Sequence, residues 1–146
     1  MKRVCFGAGD YTRDLGLIWT FEEKELAAAR AELVLASRIA EIEPPIDTVF
    51  IHIRENTAFS ESTKLGREFG FQGKLCIHPD QVSIANDIYT PTHDDVIWAT
   101  KIVACFKQAE ADGSASIQVD GYFVDYPIVE KAQRIIDIAD AIASQA

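Results

Sequence analysis

The stretch Val4-Cys5-Phe6-Gly7-Ala8-Gly9-Asp10 decides the fold class, because three apolar residues run directly into a glycine-bearing turn that ends in a carboxylate. A short apolar run bounded by a turn is typical of a buried strand. Two more apolar runs follow at wide spacing, Thr48–Ile53 and Leu75–Ile77. Helical patterns separate the three runs, and this alternation predicts βαβ units with a parallel sheet.

The helices between these strands are predicted from their start and stop signals. Thr20 and Glu23 have the spacing of a capping box, which predicts a helix that runs from there to about Ala40. A second helix is predicted over 58–69, where Gly70 is available for the left-handed position that follows a helix.

The C-terminal part of the chain has signals of its own. Thr92 and Asp95 form a second capping box, which opens a long amphipathic helix. The stretch 117–124 predicts a hairpin that turns at Asp120-Gly121. Pro127 then opens a final helix, since proline is favoured in a first turn.

Composition limits the classes of partner. The chain has 146 residues, with 14 lysines and arginines against 23 acids and a net charge of −9. A surface this negative repels phosphate backbones, so nucleic-acid binding is not expected. No apolar run reaches the roughly 18–20 residues of a membrane span. Three widely spaced cysteines (Cys5, Cys76 and Cys105) favour a reducing compartment, and we expect a cytoplasmic protein with no membrane partner.

Polar residues follow each predicted strand, in the stretches 7–10, 52–55 and 77–79. The carboxyl ends of parallel strands meet at one edge of a sheet, where α/β folds gather functional groups. Asp10 is therefore a candidate ligand for a hard cation such as Mg²⁺, because the residues that lead to it, Gly7-Ala8-Gly9, have no bulky side chains. A lone aspartate more often caps a turn, so both interpretations stay open.

Asp125 is the second candidate, between the hairpin and the final helix and two residues before Pro127. A carboxylate at a helix start is favoured by the helix dipole, and acids collect there for that reason alone. The same carboxylate could act as a general acid or base on a C-terminal segment. The residues by themselves favour the structural role.

Other polar residues are predicted to be structural. Gly7-x-Gly9 matches part of a dinucleotide-binding fingerprint, but Thr12 stands where the third glycine belongs. Lys74 is expected to be solvated, and Cys76 to lie in the core. His78 is expected to form a structural hydrogen bond.

Several stretches together resemble the C-terminal half of the citrate lyase β-subunit-like proteins, which belong to the HpcH/HpaI aldolase group. They follow the family's order over essentially the whole chain, and the G-K-L-C-I-H-P-x-Q stretch is quite specific. The matching stretches are Val4–Tyr11 with Asp14–Gly16, Ile46–Phe50, Leu65-Gly66, Gly70–Gln81 and Val119–Pro127.

The resemblance implies an α/β fold that is a partial TIM-like barrel. Residues 1–112 would be the C-terminal part of the barrel, containing its last three βα units. Residues 113–146 would be a C-terminal arm of hairpin and helix that packs on a neighbouring subunit. Family members are often trimers, so the resemblance implies a homo-oligomer or a chain that supplies the missing barrel half, since three strands cannot close a barrel.

The implied activity is that of a Mg²⁺-dependent carbon–carbon lyase, or its condensing reverse, acting on a malyl-, citramalyl- or citryl-thioester. The acyl group would be carried by CoA or by an acyl carrier. By resemblance, Asp10 is a ligand of Mg²⁺ and Asp125 is the catalytic acid or base. Gly9, His78 and Pro79 are the implied substrate-binding residues.

The chain departs from the family in two stretches near this site. Gly9 stands where the family usually has glutamate, and 54–57 replace a more typical Lys-Asp-x-x-Gly pattern. The family's second metal carboxylate and its substrate-binding arginine belong to the half of the barrel outside this sequence. The alternative prediction is therefore a non-catalytic half-barrel, a fragment or subunit, that binds a partner chain or an acyl-CoA.

Overall fold

A computed structural model describes residues 1–144, which form a mostly helical α/β structure. The chain divides into two compact units, Met1–Tyr89 and Thr90 onward. This division lies before residue 113, where the sequence predicts that the C-terminal arm begins. Within the described range, no helix combines the length and the apolarity needed to cross a membrane.

The first unit contains four α-helices and one 3-10 turn. Three extended segments alternate with them, as the sequence predicts. The helices are α1 (Ala8–Leu15), α2 (Ala27–Ile39), α3 (Asn56–Phe69) and α4 (Pro79–Tyr89), and the 3-10 turn is Lys24–Leu26.

The extended segments pair in parallel through single bridges, Cys5 with Ile46 and Asp47 with Lys74. The middle segment therefore lies between the other two, and the parallel arrangement is confirmed. The predicted strand over 48–53 is wrong, because the middle segment pairs just before it, and no regular strand forms in the described part of the first unit.

Side chains bond backbone groups of the extended segments beyond the two bridges. The hydroxyl of Thr48 accepts a hydrogen bond from the Ala8 amide at 3.0 Å. The Gln81 side chain donates to the Phe50 carbonyl at 3.1 Å and accepts from the Ile77 amide at 2.9 Å. Each of these backbone groups would otherwise need a partner within the sheet. Thr48 and Gln81 thus join the carboxyl ends of neighbouring segments.

The first helix start differs from the prediction. Glu23 is buried in a left-handed conformation (φ 51°) and makes no cap for the residues after it. Glu25 instead accepts from the amide and hydroxyl of Thr20, at 2.7 and 2.8 Å. The predicted capping box is wrong because Glu23 enters the core. The helix end at Gly70 is confirmed, with φ of 105°.

The second unit is built from α5 (His93–Ala111), β1 (Ile117–Val119), β2 (Tyr122–Val124) and α6 (Tyr126–Ala143). The two strands pair in antiparallel register, as predicted for a hairpin. The capping box at the start of α5 is also confirmed, since Thr92 and Asp95 bond to each other's backbone at 3.0 and 3.1 Å.

Each unit has an apolar core. That of the second unit joins one face of α5 to the hairpin and α6: Ala99, Ile102, Val103, Phe106, Val119, Val124 and Ala132. The first unit has two smaller clusters, one of Phe6, Ala8, Leu26, Ala29 and Phe71 and one of Phe50, Phe59 and Ala85. The first unit also buries polar and charged side chains, which are described below.

Candidate functional site

Asp10 lies in the first turn of α1, directly after the first extended segment. Its carboxylate is 84% exposed and stands 3.3 Å from the Arg13 guanidinium. The helix start is fixed from both sides, because the Ala8 amide binds Thr48 and the Thr12 hydroxyl donates to the Ala8 carbonyl at 2.8 Å. The carboxylate is thus presented to solvent from a fixed backbone.

Gly9, the neighbour of Asp10, lies against an aromatic ring. A Cβ built there would stand 3.6 Å from Trp19, which is ordinary van der Waals contact. The space therefore accepts a side chain at this position. Nothing packed around Gly9 explains why glycine stands there.

The donor chemistry of this edge fits one ligand of a hard cation. An exposed carboxylate is the kind of oxygen that Mg²⁺ prefers, and Mg²⁺ often takes only one or two carboxylates from a protein. In the part of the chain that the structure describes, no three His, Cys, Asp or Glu side chains group to hold a metal. The chemistry of Asp10 thus suits one ligand of such a cation, and the remaining ligands would have to come from other groups.

His78 and Pro79 lie at the end of the third extended segment. Pro79 is the first residue of α4, where a missing amide hydrogen costs nothing. The His78 Nδ1 accepts from the Asp80 amide at 3.3 Å and lies 3.6 Å from the Asp80 carboxylate. The ring thus makes the local hydrogen bond that the sequence predicts, and its other nitrogen makes no such contact in the described structure.

His52, at the end of the middle segment, stacks on Phe21 with ring centroids 3.9 Å apart. Phe21 is about half exposed, and Phe50 packs edge-on against both rings. The carboxyl edge therefore presents a flat aromatic surface that the sequence analysis missed. The separation of Phe21 and His52 along the chain gives no pattern from which to predict it.

Asp125 lies in the second unit, at the residue that precedes α6, and is half-buried. Its backbone is extended (φ −132°, ψ −175°), as at many helix starts, but its side chain accepts no capping hydrogen bond. Asp10 belongs to the other compact unit.

A buried ionic cluster is the main feature that the sequence analysis missed. The Asp47 carboxylate accepts from Arg30 through both oxygens, at 3.0 Å each, and from the Lys74 ammonium at 2.9 Å. The three side chains have no exposed surface. The prediction that Lys74 is solvated is therefore wrong, because its ammonium is buried and pairs with Asp47.

Glu23 completes the cluster from the 3-10 turn. Its Oε2 accepts from Arg30 and from the Ser62 hydroxyl, at 2.6 Å each. Burial by itself would lower the pKa of Arg30, but the hydrogen bonds and charge of Asp47, with Glu23 after it, raise that pKa above its usual value. Two acids and two bases thus balance in the core. A signal was present in the sequence, since Asp47 interrupts an apolar run.

The cluster ties the middle segment to the third segment and to α2. Each of its four charged groups has an ion-pair partner and is buried, although the Glu23 Oε1 and one terminal nitrogen of Arg30 have no hydrogen-bond partner in the described structure. Breaking a buried pair leaves an uncompensated charge, whereas an intact one fixes a geometry. We assign it the role of holding together the middle and third extended segments, the second of which ends at His78.

Comparisons with known proteins find relatives over nearly the whole chain. The family model for HpcH/HpaI aldolase/citrate lyase matches residues 1–79. Citrate lyase subunit beta of Leuconostoc mesenteroides subsp. cremoris is 34% identical over 141 residues, 97% of this chain and 46% of that protein. Mitochondrial citramalyl-CoA lyase of Rattus norvegicus is 27% identical over 142 residues, 97% of this chain and 42% of that protein.

A solved structure agrees at the level of fold. Protein CitE from Mycobacterium tuberculosis, in complex with magnesium, acetoacetate and coenzyme A, aligns with a TM-score of 0.73 and 23% identity, covering 93% of this chain and 51% of that chain. The chain spans about half the length of the curated relatives it matches, 46% and 42% of the two named above.

Proposed function

We propose, since the chain belongs to the HpcH/HpaI aldolase/citrate lyase family, that it forms the C-terminal part of a carbon–carbon lyase. The observation that carries the proposal is the family match over residues 1–79, which contain the exposed carboxylate of Asp10 at the carboxyl edge of three parallel segments. In barrel enzymes this edge is where catalytic groups gather. The chain would be the last three βα units of a TIM-like barrel with an arm.

The proposed substrate is a malyl-, citramalyl- or citryl-thioester, cleaved to a keto acid and a shorter acyl thioester. Relatives named citrate lyase subunit beta and citramalyl-CoA lyase support this class of substrate. The related CitE structure holds coenzyme A and acetoacetate, which supports a site for a CoA thioester beside a small acid.

Asp10 is proposed as one ligand of Mg²⁺, a metal that the related CitE structure contains. A bound Mg²⁺ would polarise the carbonyl of the keto acid, which forms in cleavage and is attacked in the reverse condensation. Asp10 would contribute one hard oxygen, held by the fixed start of α1. Gly9, His78 and Pro79, near Asp10 or at the same edge, would contact the substrate.

Asp125 is proposed as the acid or base that exchanges a proton with the acyl carbon next to the thioester. A carboxylate that makes no hydrogen bond within the described protein is available for that transfer. The arm of residues 113–146 would carry Asp125 to the site of a neighbouring subunit. A homo-oligomer, a trimer by resemblance, or a second chain would supply the missing part of the barrel.

One alternative stays open. The chain spans less than half of the curated relatives named above, so it is also a candidate for a half-barrel, a fragment or a subunit, that binds a partner chain or an acyl-CoA without turnover. The two functions differ in one observable, since only the lyase releases a keto acid.

The test is thioester cleavage by the chain with malyl-, citramalyl- and citryl-CoA, in Mg²⁺ and in EDTA. We expect Mg²⁺-dependent release of glyoxylate, pyruvate or oxaloacetate from one of the three. Asp125→Asn should lower kcat at least about 100-fold, the low end of general acid–base contributions. Asp10→Asn should also lower the rate, because it weakens the binding of Mg²⁺. Asp14→Asn is the matched control, since Asp14 is another exposed carboxylate of α1.

Two results separate the possibilities. Mn²⁺ titration followed by electron spin resonance should show binding that Asp10→Asn weakens and Asp14→Asn does not, whether or not turnover occurs. CoA binding in calorimetry without keto-acid release from any thioester would replace the lyase with the binding function.

A further inference from the structure

The carboxylate of Asp125 makes no capping hydrogen bond, and the sequence that follows removes one of its two usual donors. An aspartate before a helix normally accepts from the amide of the second or third helical residue. Here the second residue of α6 is Pro127, which has no amide hydrogen. The side chain makes no cap with Ile128 either, the third residue. The D-Y-P order therefore favours a free carboxylate at the positive end of α6.

The chain before Asp125 is anchored to α5 by an ion pair. The Lys101 ammonium binds both oxygens of Asp120, at 2.8 and 2.6 Å. Asp120 and Gly121 form the hairpin turn with positive φ values of 50° and 85°, a conformation typical of two-residue hairpin loops. Val124, next to Asp125, is fully buried in the core of the second unit. The hairpin thus has a fixed tip and a fixed end.

The chain after Asp125 is anchored to the same helix. The Tyr126 hydroxyl donates to the Glu110 carboxylate at 3.0 Å, and this hydrogen bond raises the pKa of Tyr126. The Tyr126 ring also packs edge-on against Phe106, with centroids 5.1 Å apart. Lys101, which binds the chain before Asp125, and Glu110, which binds the chain after it, both belong to α5 and lie nine residues apart.

We propose that Lys101 and Glu110 are positioning residues that fix the free Asp125 carboxylate from both sides. The proposal rests on the proposed function, in which Asp125 transfers the proton. Exposed ion pairs add little to stability, so the pair at Lys101 is better explained by the geometry it sets than by the fold it supports. A shift of about 1 Å in an acid or base is enough to lower a rate about 100-fold.

The kinetic test compares Lys101→Ala and Glu110→Ala with Lys107→Ala, which removes another exposed lysine of α5. In the lyase assay we expect kcat to fall about 10- to 100-fold in the first two variants, with KM nearly unchanged. Lys107→Ala should match the wild type. Lys101→Arg should recover most of the rate, since it restores a donor for Asp120.

The second test needs no turnover. Backbone ¹⁵N relaxation on the full chain should give order parameters near 0.85 for 120–126 in the wild type, falling below about 0.6 in Lys101→Ala and unchanged in Lys107→Ala. Unchanged order parameters in both anchor variants would overturn the proposal. The proposal would also be overturned if the wild type is active and neither Lys101→Ala nor Glu110→Ala lowers kcat. If the wild type cleaves no thioester, the proposed function fails, and the relaxation result alone decides whether these residues fix Asp125.

Discussion

The two compact units bury different kinds of side chain. In the described structure, every buried polar or charged residue belongs to the first unit, and the buried residues of the second are all apolar. The first unit contains the pairs of Asp47 with Arg30 and Lys74, whereas the second closes around residues such as Ile102 and Phe106. The stability of the first unit should therefore depend on its buried ion pairs, and that of the second unit on how fully side chains fill its apolar core.

The difference follows from architecture. Short parallel segments leave backbone and side-chain polar groups inside the first unit, and each must find a partner there. In the second unit, the two helices and the β-hairpin pair most of their own backbone groups, so only apolar faces remain to be packed together. Each unit also holds one tryptophan against its core, Trp19 and Trp98. Fluorescence of Trp98→Phe and Trp19→Phe proteins therefore follows the units one at a time, and the predictions below use these backgrounds.

The largest effect is expected from Asp47→Ala. This change leaves Arg30 and Lys74 charged and buried without their shared partner, which costs about 3–5 kcal/mol of unfolding free energy. Urea unfolding followed by Trp19 fluorescence measures it. Asp120→Ala, which breaks an exposed pair in the second unit, should change stability far less. A small loss in Asp47→Ala would remove the contrast between the units.

Gly66→Ala should cost about 1–3 kcal/mol, as small-to-large changes in packed interiors do. A Cβ at Gly66 would stand 2.7 Å from the Asp47 carboxylate, which Arg30 and Lys74 hold in place. Gly7→Ala is the matched control, since nothing lies within 4 Å of the point that a Cβ would occupy there. Equal stability of the two variants would mean that the Asp47 carboxylate can move away from the new methyl group at little cost.

Ile102→Val tests the apolar unit and should cost about 0.5–1.5 kcal/mol, the usual effect of deleting one buried methylene. Ile102 is fully buried in the core of the second unit. Urea unfolding followed by Trp98 gives the value, with the exposed Ile97→Val as control. A cost no larger than that of the control would show that volume does not dominate there.

The smallest effect at neutral pH is expected from Tyr89→Phe, within about 1 kcal/mol, because its buried hydroxyl has no hydrogen-bond partner in the described structure. Burial, with the charge of Asp47 after it, raises the pKa of Tyr89 well above 10. The unfolded chain ionises first, so the stability linked to Tyr89 is complete below about pH 10 and is lost as pH rises beyond it.

Urea unfolding at pH 8 and at pH 11, followed by Trp19, compares Tyr89→Phe with the wild type. The variant should lose less stability between the two values, since it has no hydroxyl to ionise. A loss equal to that of the wild type would contradict the raised pKa.

Local signals predicted much of the fold. The capping box at Thr92 and Asp95, the hairpin turn and the helix end at Gly70 were all confirmed, because each depends on residues a few positions apart. The capping box at Thr20 failed for the opposite reason. Glu23 has a stronger partner in Arg30, which competes with the local bond.

The residues of the candidate site also fall into those that local sequence predicted and those that it did not. Asp10 and Asp125 were found from their positions after a strand and before a helix, and their roles stay predictions. Thr48 and Gln81, which join the ends of the extended segments, were missed because their partners lie 40 and 31 residues away along the chain. Lys74 was misjudged because burial of a charge depends on a partner that no local pattern reveals.

The sequence by itself determined the alternation of helices with apolar runs, the turns, the family and the two candidate carboxylates. Only the tertiary structure decided that Asp47, Arg30 and Lys74 share one buried cluster, and that Asp125 stands free between contacts to Lys101 and Glu110. The physical reason is range. Backbone preferences act over a few residues, whereas pairing a charge in the core requires elements far apart in the chain to meet.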